Sequence, residues 1–146
     1  MKKKAMIFLG ILILISVGLF VYFRPIPLSN RIHEDNPILI TVNELGTRNG
    51  EAYMDLTDYK NITDEQKSDI LSLLKNYSYR RTWGTLFSDG SMSGLGDKLL
   101  YIFVYDGNTL IDTISISSTG EIAVDDKTYK IENAAHLMDE LVEICS

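Results

Sequence analysis

Hydrophobic and polar positions divide the chain into three regimes. From Ala5 to Phe23 (AMIFLGILILISVGLFVYF) there are 19 residues without a charge. From Arg24 to Asn36 the chain is mostly polar, with Pro25 and Pro27 inside it and Pro37 at its end. From residue 37 onward, apolar positions recur with the periods of strands and helices.

The first regime predicts a helix roughly 28 Å long at about 1.5 Å per residue, close to the ~30 Å hydrocarbon core of a bilayer. Only Ser16 interrupts its apolar surface, whereas a buried core helix would need polar positions along one face. Lys2, Lys3 and Lys4 precede the run and a single Arg24 follows it, which places the N-terminus inside and the rest outside. Cleavage after Gly18, behind Ser16-Val17-Gly18, is the alternative and would leave a secreted domain. Leu19–Phe23 continues the apolar run past that point, and Tyr22 and Phe23 stand where interfacial aromatics belong. The expectation is therefore an uncleaved signal anchor over residues 1–23, a single-pass span in the cell membrane. The second regime, residues 24–36, reads as an extended linker, because proline fixes φ and removes donors.

In the third regime, Ile38, Ile40 and Val42 alternate as in a strand. Asn49-Gly50 marks a tight hairpin, and Glu51–Thr57 returns with Ala52, Met54 and Leu56 on one face. Thr63-Asp64-Glu65-Gln66 has the capping-box pattern and opens a helix whose Ile70, Leu73, Leu74 and Tyr77 share a face. Tyr79–Phe87 reads as another strand, with Tyr79, Arg81, Trp83 and Phe87 on one side and Arg80, Thr82 and Leu86 on the other. Ser88–Asp97 is a Gly/Ser loop. Lys98–Tyr105 is apolar on both faces, as in a central strand. Asp106-Gly107-Asn108 turns into Thr109–Ser117, with Leu110, Ile114 and Ile116 inward. Ser118-Thr119-Gly120 leads to Glu121–Asp125 and Lys127–Ile131. Asn133 caps a last helix, Ala134–Ile144, with an apolar stripe of Ala134, Leu137, Met138, Leu141, Val142 and Cys145. The predicted fold is α+β: an N-terminal transmembrane helix, then a mostly antiparallel sheet with two amphipathic helices on one face, the domain covering 37–146.

Charge narrows the partners. Beyond residue 23 the chain carries all 20 acidic residues and a formal charge of −9. Such a surface repels phosphate, which excludes nucleic acid and disfavours adhesion to anionic lipid. The single cysteine, Cys145, makes no internal disulfide, and its place near the C-terminus excludes a lipid-modified N-terminal cysteine.

Candidate chemistry is sparse. The two histidines are His33, in the linker, and His136, in the first turn of the last helix; no Gly-x-Ser-x-Gly elbow exists. Asp89, Ser91, Ser93, Gly94 and Asp97 partly imitate a calcium loop, yet Leu100 replaces the bidentate glutamate and strands flank it. Gly94-Leu95-Gly96 lacks the following helix that a phosphate loop needs. No metal or cofactor is expected. Tyr79, Arg81 and Trp83 combine the residue types enriched at binding hot spots and form the candidate partner-binding face. The competing reading makes Trp83 core and pairs Arg81 with a carboxylate.

The KKK start with its ILILISVGLF core, and the closing EIAVDDKTYKIENAAHLMDELVEI, resemble small single-anchor extracytoplasmic proteins of Gram-positive bacteria, whose domains are uncharacterised. The resemblance spans the chain, implies a place at the cell surface and transfers no catalytic residue. The functional expectation is a membrane-tethered domain that binds a protein or peptide outside the cell, in an envelope, immunity or inhibitor role, without enzymatic activity. A small cell-surface hydrolase using scattered carboxylates is the alternative.

Overall fold

A computed structural model describes residues 2–94 and 96–146, with side chains from residue 6 onward. Helix α1 spans Lys2–Tyr22. Apart from Ser16, which donates its hydroxyl to Leu12 O, and Tyr22, half-buried at its end, the described side chains are apolar and exposed. The charged start, Lys2–Lys4, and Ala5 lie outside the described side chains. Among the described residues, no helix is long and apolar enough to cross a membrane.

Eight strands form one sheet in which every neighbouring pair is antiparallel. They are β1 (Ile26–Pro27), β2 (Ile38–Arg48), β3 (Glu51–Tyr59), β4 (Ser78–Arg80), β5 (Lys98–Asp106), β6 (Thr109–Ser117), β7 (Glu121–Val124) and β8 (Lys127–Ile131). Their spatial order is β1-β4-β8-β7-β6-β5-β2-β3. The β5–β8 meander follows the turn residues. Asp125 and Asp126 both take positive φ (50° and 55°), the geometry of a two-residue hairpin turn, and Asn49-Gly50 do the same between β2 and β3.

Helices α2 (Asp64–Leu74) and α3 (Ala134–Cys145) pack side by side on one face. Thr63 and Gln66 make both capping-box bonds, at 3.2 and 3.0 Å. The core joins Ile70, Leu74, Leu137, Met138 and Leu141 to the sheet positions Ile40, Leu100, Ile102, Ile114 and Ile116, all fully buried. The α+β architecture is as predicted. Asn133 differs in detail: it stands before α3 with φ 55° and makes no side-chain cap, offering only its carbonyl to the Leu137 amide.

Three local readings are corrected. The segment 24–36 is no extended linker. Ile26–Pro27 pairs with β4, Leu28–Arg31 forms a 3-10 turn, and Leu28 (0 % exposed) and Ile32 sit in the core. Proline is tolerated there because β1 is an edge strand. The strand expected over Tyr79–Phe87 stops at Arg80, and Gly84–Leu86 is a second 3-10 turn. Finally, a bulge between Val104 and Tyr105 shifts the end of β6, so Leu110 is exposed, not inward.

Candidate functional site

The face opposite the helices is only half covered. Register places Leu39, Asn43, Leu45, Met54, Leu56, Leu99, Tyr101 and Phe103 together on it. Over β7 and β8 the chain from Thr85 to Asp97 lies across this face, held by side-chain hydrogen bonds. Thr128 donates its hydroxyl to Ser91 O at 2.8 Å and its amide to Ser88 Oγ at 2.9 Å. Ser117 Oγ donates to Gly94 O at 2.6 Å. Leu95, within Gly94-Leu95-Gly96, lies outside the described residues.

Glu121 is the pin of this loop. Only 7 % exposed, its carboxylate accepts from the Ser93 amide and hydroxyl (both 2.6 Å), the Gly94 amide (3.2 Å) and Lys130 Nζ (3.1 Å). Burial by itself raises its pKa, but the hydrogen bonds from Ser93, Lys130 and Gly94 outweigh that and hold it at about 2. Nothing in the sequence distinguished Glu121 among 20 acids.

Over β5, β2 and β3 the same face is open. Tyr101 and Phe103 stack at 5.9 Å with ring planes 13° apart. Met54 and Leu56, on the edge strand β3, are 61 % and 57 % exposed. Among the described residues β3 pairs only with β2, so its outer backbone groups are free for a further strand. The two sides of β3 differ in chemistry. Ala52, Met54 and Leu56 line the open face beside Asp58, which accepts from Thr41 Oγ1 at 2.7 Å, while Glu51 and Asp55 project from the other with Tyr53, Thr57 and Tyr59. Asn43 Oδ1, beside Leu56 and Leu99 in register, is a buried acceptor with no hydrogen-bond partner.

The predicted face of Tyr79, Arg81 and Trp83 is dispersed. Tyr79 is buried edge-on against Tyr129 (5.0 Å), and burial raises its pKa. Beyond Arg80 the backbone leaves the strand. Arg81 is half-buried over the Tyr22 ring (5.4 Å) and donates to Tyr22 O at 3.4 Å. Trp83 stands edge-on to Phe23 at 4.9 Å yet remains 62 % exposed, so it is not core. Arg81 and Trp83 thus meet the end of α1 together, without Tyr79. Thr82 and Thr85 make this bend: Thr85 Oγ1 accepts from the Thr82 amide (2.9 Å) and donates to Thr128 O (2.7 Å). The Thr-x-x-Thr spacing around Gly84 was the signal that could have shown it.

An open depression of about 600 Å³ lies between the loop and β6–β7, lined by Asp89, Asp112, Asp125 and Asp126 among others. Arg31 occupies two of these carboxylates, bonding Asp125 with both nitrogens (2.7 Å each) and Asp112 at 2.8 to 2.9 Å. Asp89 accepts from the Ser91 amide at 3.0 Å, Ser93 faces Glu121, and Asp97 accepts from Ser118 Oγ at 2.7 Å, so the oxygens of the calcium-like loop point to separate partners. Among the described residues no group of His, Cys, Asp and Glu could hold a metal ion. The carboxylates whose pKa moves all move down: Asp58 through Thr41, Asp89 through Ser91, Asp97 through Ser118, and Glu121. That is the reverse of a general acid poised near neutral pH. His33 and His136 are exposed, and His136 lies 3.7 Å from Glu140. Cys145 is half-buried, and burial raises its thiol to about 11, which keeps it protonated and unreactive at neutral pH.

No known protein family, curated protein or solved structure matches the chain.

Proposed function

We propose that this chain is a single-pass, membrane-tethered extracytoplasmic domain that binds an extended segment of a protein or peptide along β3. The tether rests on the full run Ala5–Phe23, whose 19 uncharged residues fall within the ~17–25 that span a bilayer. An apolar helix exposed on all sides needs an apolar surround, and lipid supplies it.

The observation that carries the binding reading is the two-sided chemistry of a free edge. A strand added beside β3 meets Ala52, Met54 and Leu56 on one side and, on the other, Glu51 and Asp55 flanking Tyr53. A second copy of β3 would bring its own acids against those acids, which disfavours self-pairing. An extended segment alternating apolar and basic residues satisfies both sides, and the domain's acidity favours its approach. The likeness to Gram-positive single-anchor proteins agrees with an envelope, immunity or inhibitor role.

A blocked peptide of alternating valine and lysine tests this with the isotopically labelled full-length protein in lipid nanodiscs. Expected are amide shift changes and slowed exchange along Glu51–Tyr59, lost in Met54→Lys. Changes confined to other strands, or concentration-dependent dimerisation through β3 instead, would refute it.

A further inference from the structure

Among the described residues, the turn carrying Trp83, Leu86 and Phe87 presents three large apolar side chains to the outside. Phe87 is 89 % exposed, Trp83 and Leu86 about half or more, and none of the three is needed to fill the core. Their backbone is nonetheless rigidly held. Thr85 is buried and bonded to both Thr82 and β8, Ser88 Oγ donates to Thr85 O at 3.1 Å, and Lys127 Nζ donates to Ser88 O at 2.7 Å. A turn fixed by that many bonds while presenting three large apolar side chains outward is a built surface.

Its position says what covers it. Trp83 packs on Phe23 and Arg81 on Tyr22, at the end of α1. Because residues 24–36 fold into the domain, no spacer separates the domain from that end. Arg81 is held over the Tyr22 ring and Arg24 follows α1 directly, whereas Arg80 turns away and pairs with Glu132 at 2.7 Å. Aromatic rings flanked by arginines are the composition of the lipid–water interface, where the rings reach the upper acyl region and guanidinium groups meet phosphates. We infer that the turn of Trp83, Leu86 and Phe87 is a second membrane contact, inserted into the interface of the leaflet from which α1 emerges, so that the domain lies on the bilayer in one fixed orientation. This rests on the reading of α1 as the tether. It sets against lipid a domain whose net charge disfavours adhesion to anionic lipid.

Trp83 is the chain's single tryptophan, which makes the test direct. The full-length protein is reconstituted in phosphatidylcholine vesicles brominated either near the headgroup or near the acyl terminus. Alkaline carbonate extraction of the same vesicles reports the tether separately. To probe a point not in contact with α1, the sole indole is moved in the double variant Trp83→Phe, Phe87→Trp. Expected for both proteins is a blue-shifted emission, with quenching about twofold stronger from the shallow bromines. Carbonate-resistant protein whose indole at position 87 is unquenched and emits as in water overturns the second contact and leaves the tether standing. Protein washed off by carbonate overturns both.

Discussion

Glu121→Gln is the sharpest perturbation available, because it changes one atom and removes a charge from a site where every partner donates. The carboxylate accepts from two amides, a hydroxyl and an ammonium group. Glutamine can keep its carbonyl toward the Ser93 and Gly94 amides. Its NH2 then faces Lys130, which cannot accept, and Ser93 Oγ must turn around. Lowering the pKa from 4.5 to about 2 corresponds to roughly 3 kcal/mol at about 1.36 kcal/mol per unit. The retained carbonyl bonds reduce the expected loss to about 2 kcal/mol at pH 7. The folded pKa is depressed, so this stability is fully present above about pH 4.5 and is lost as pH falls through about 2. Protonated glutamic acid resembles glutamine, and all other carboxylates titrate alike in the two proteins. The difference in urea stability between wild type and variant, followed by the sheet signal in circular dichroism, should therefore shrink toward zero near pH 2. A difference that stays constant from pH 7 to pH 2, or no difference at pH 7, would refute the account of Glu121 as the pin of the loop.

Other expectations follow from the same contacts. A chain beginning at residue 24 should melt cooperatively, whereas one beginning at residue 37 should lose more than about 3 kcal/mol, since burial of Leu28 and Ile32 contributes roughly 1.5–3 kcal/mol each; equal midpoints would be the contrary result. Arg31→Ala leaves Asp112, 16 % exposed, without its partner and should cost about 2–3 kcal/mol in a urea titration, against under about 0.5 kcal/mol if the pair only decorates the surface. Arg81→Ala should change stability by less than about 1 kcal/mol, because Arg81 stacks on Tyr22 and, among the described residues, no buried carboxylate pairs with it; a loss of several kcal/mol would contradict that placement. Thr85→Val keeps the shape but removes the bonds to Thr82 and Thr128, with an expected cost of about 1–2 kcal/mol and broader emission from Trp83.

Sequence by itself determined the parts whose causes are local. Asn49-Gly50 and Asp125-Asp126 tolerate the positive φ of tight turns, so the hairpins and the meander of β5 to β8 were legible before any packing was known. Thr63 and Gln66 marked the start of α2 because a cap is satisfied within four residues. The alternation in β2 and β5 and the stripe of α3 named most of the core. Tertiary structure decided whatever depends on distant neighbours. Whether Leu28 and Ile32 are linker or core depends on the space left beside α2 and β4, which no local pattern encodes. The alternation of Tyr79 to Phe87 was real in sequence, but the bond from Thr85 to Thr128 on β8 bends the chain and sends Tyr79 inward and Trp83 to the end of α1. Met54 and Leu56 share a face, as their spacing said, yet only the sheet order makes that face an uncovered edge. Glu121 became distinct only when folding aimed two amides, a hydroxyl and a lysine at it, for a carboxylate is singled out by its donors and they come from elsewhere in the chain.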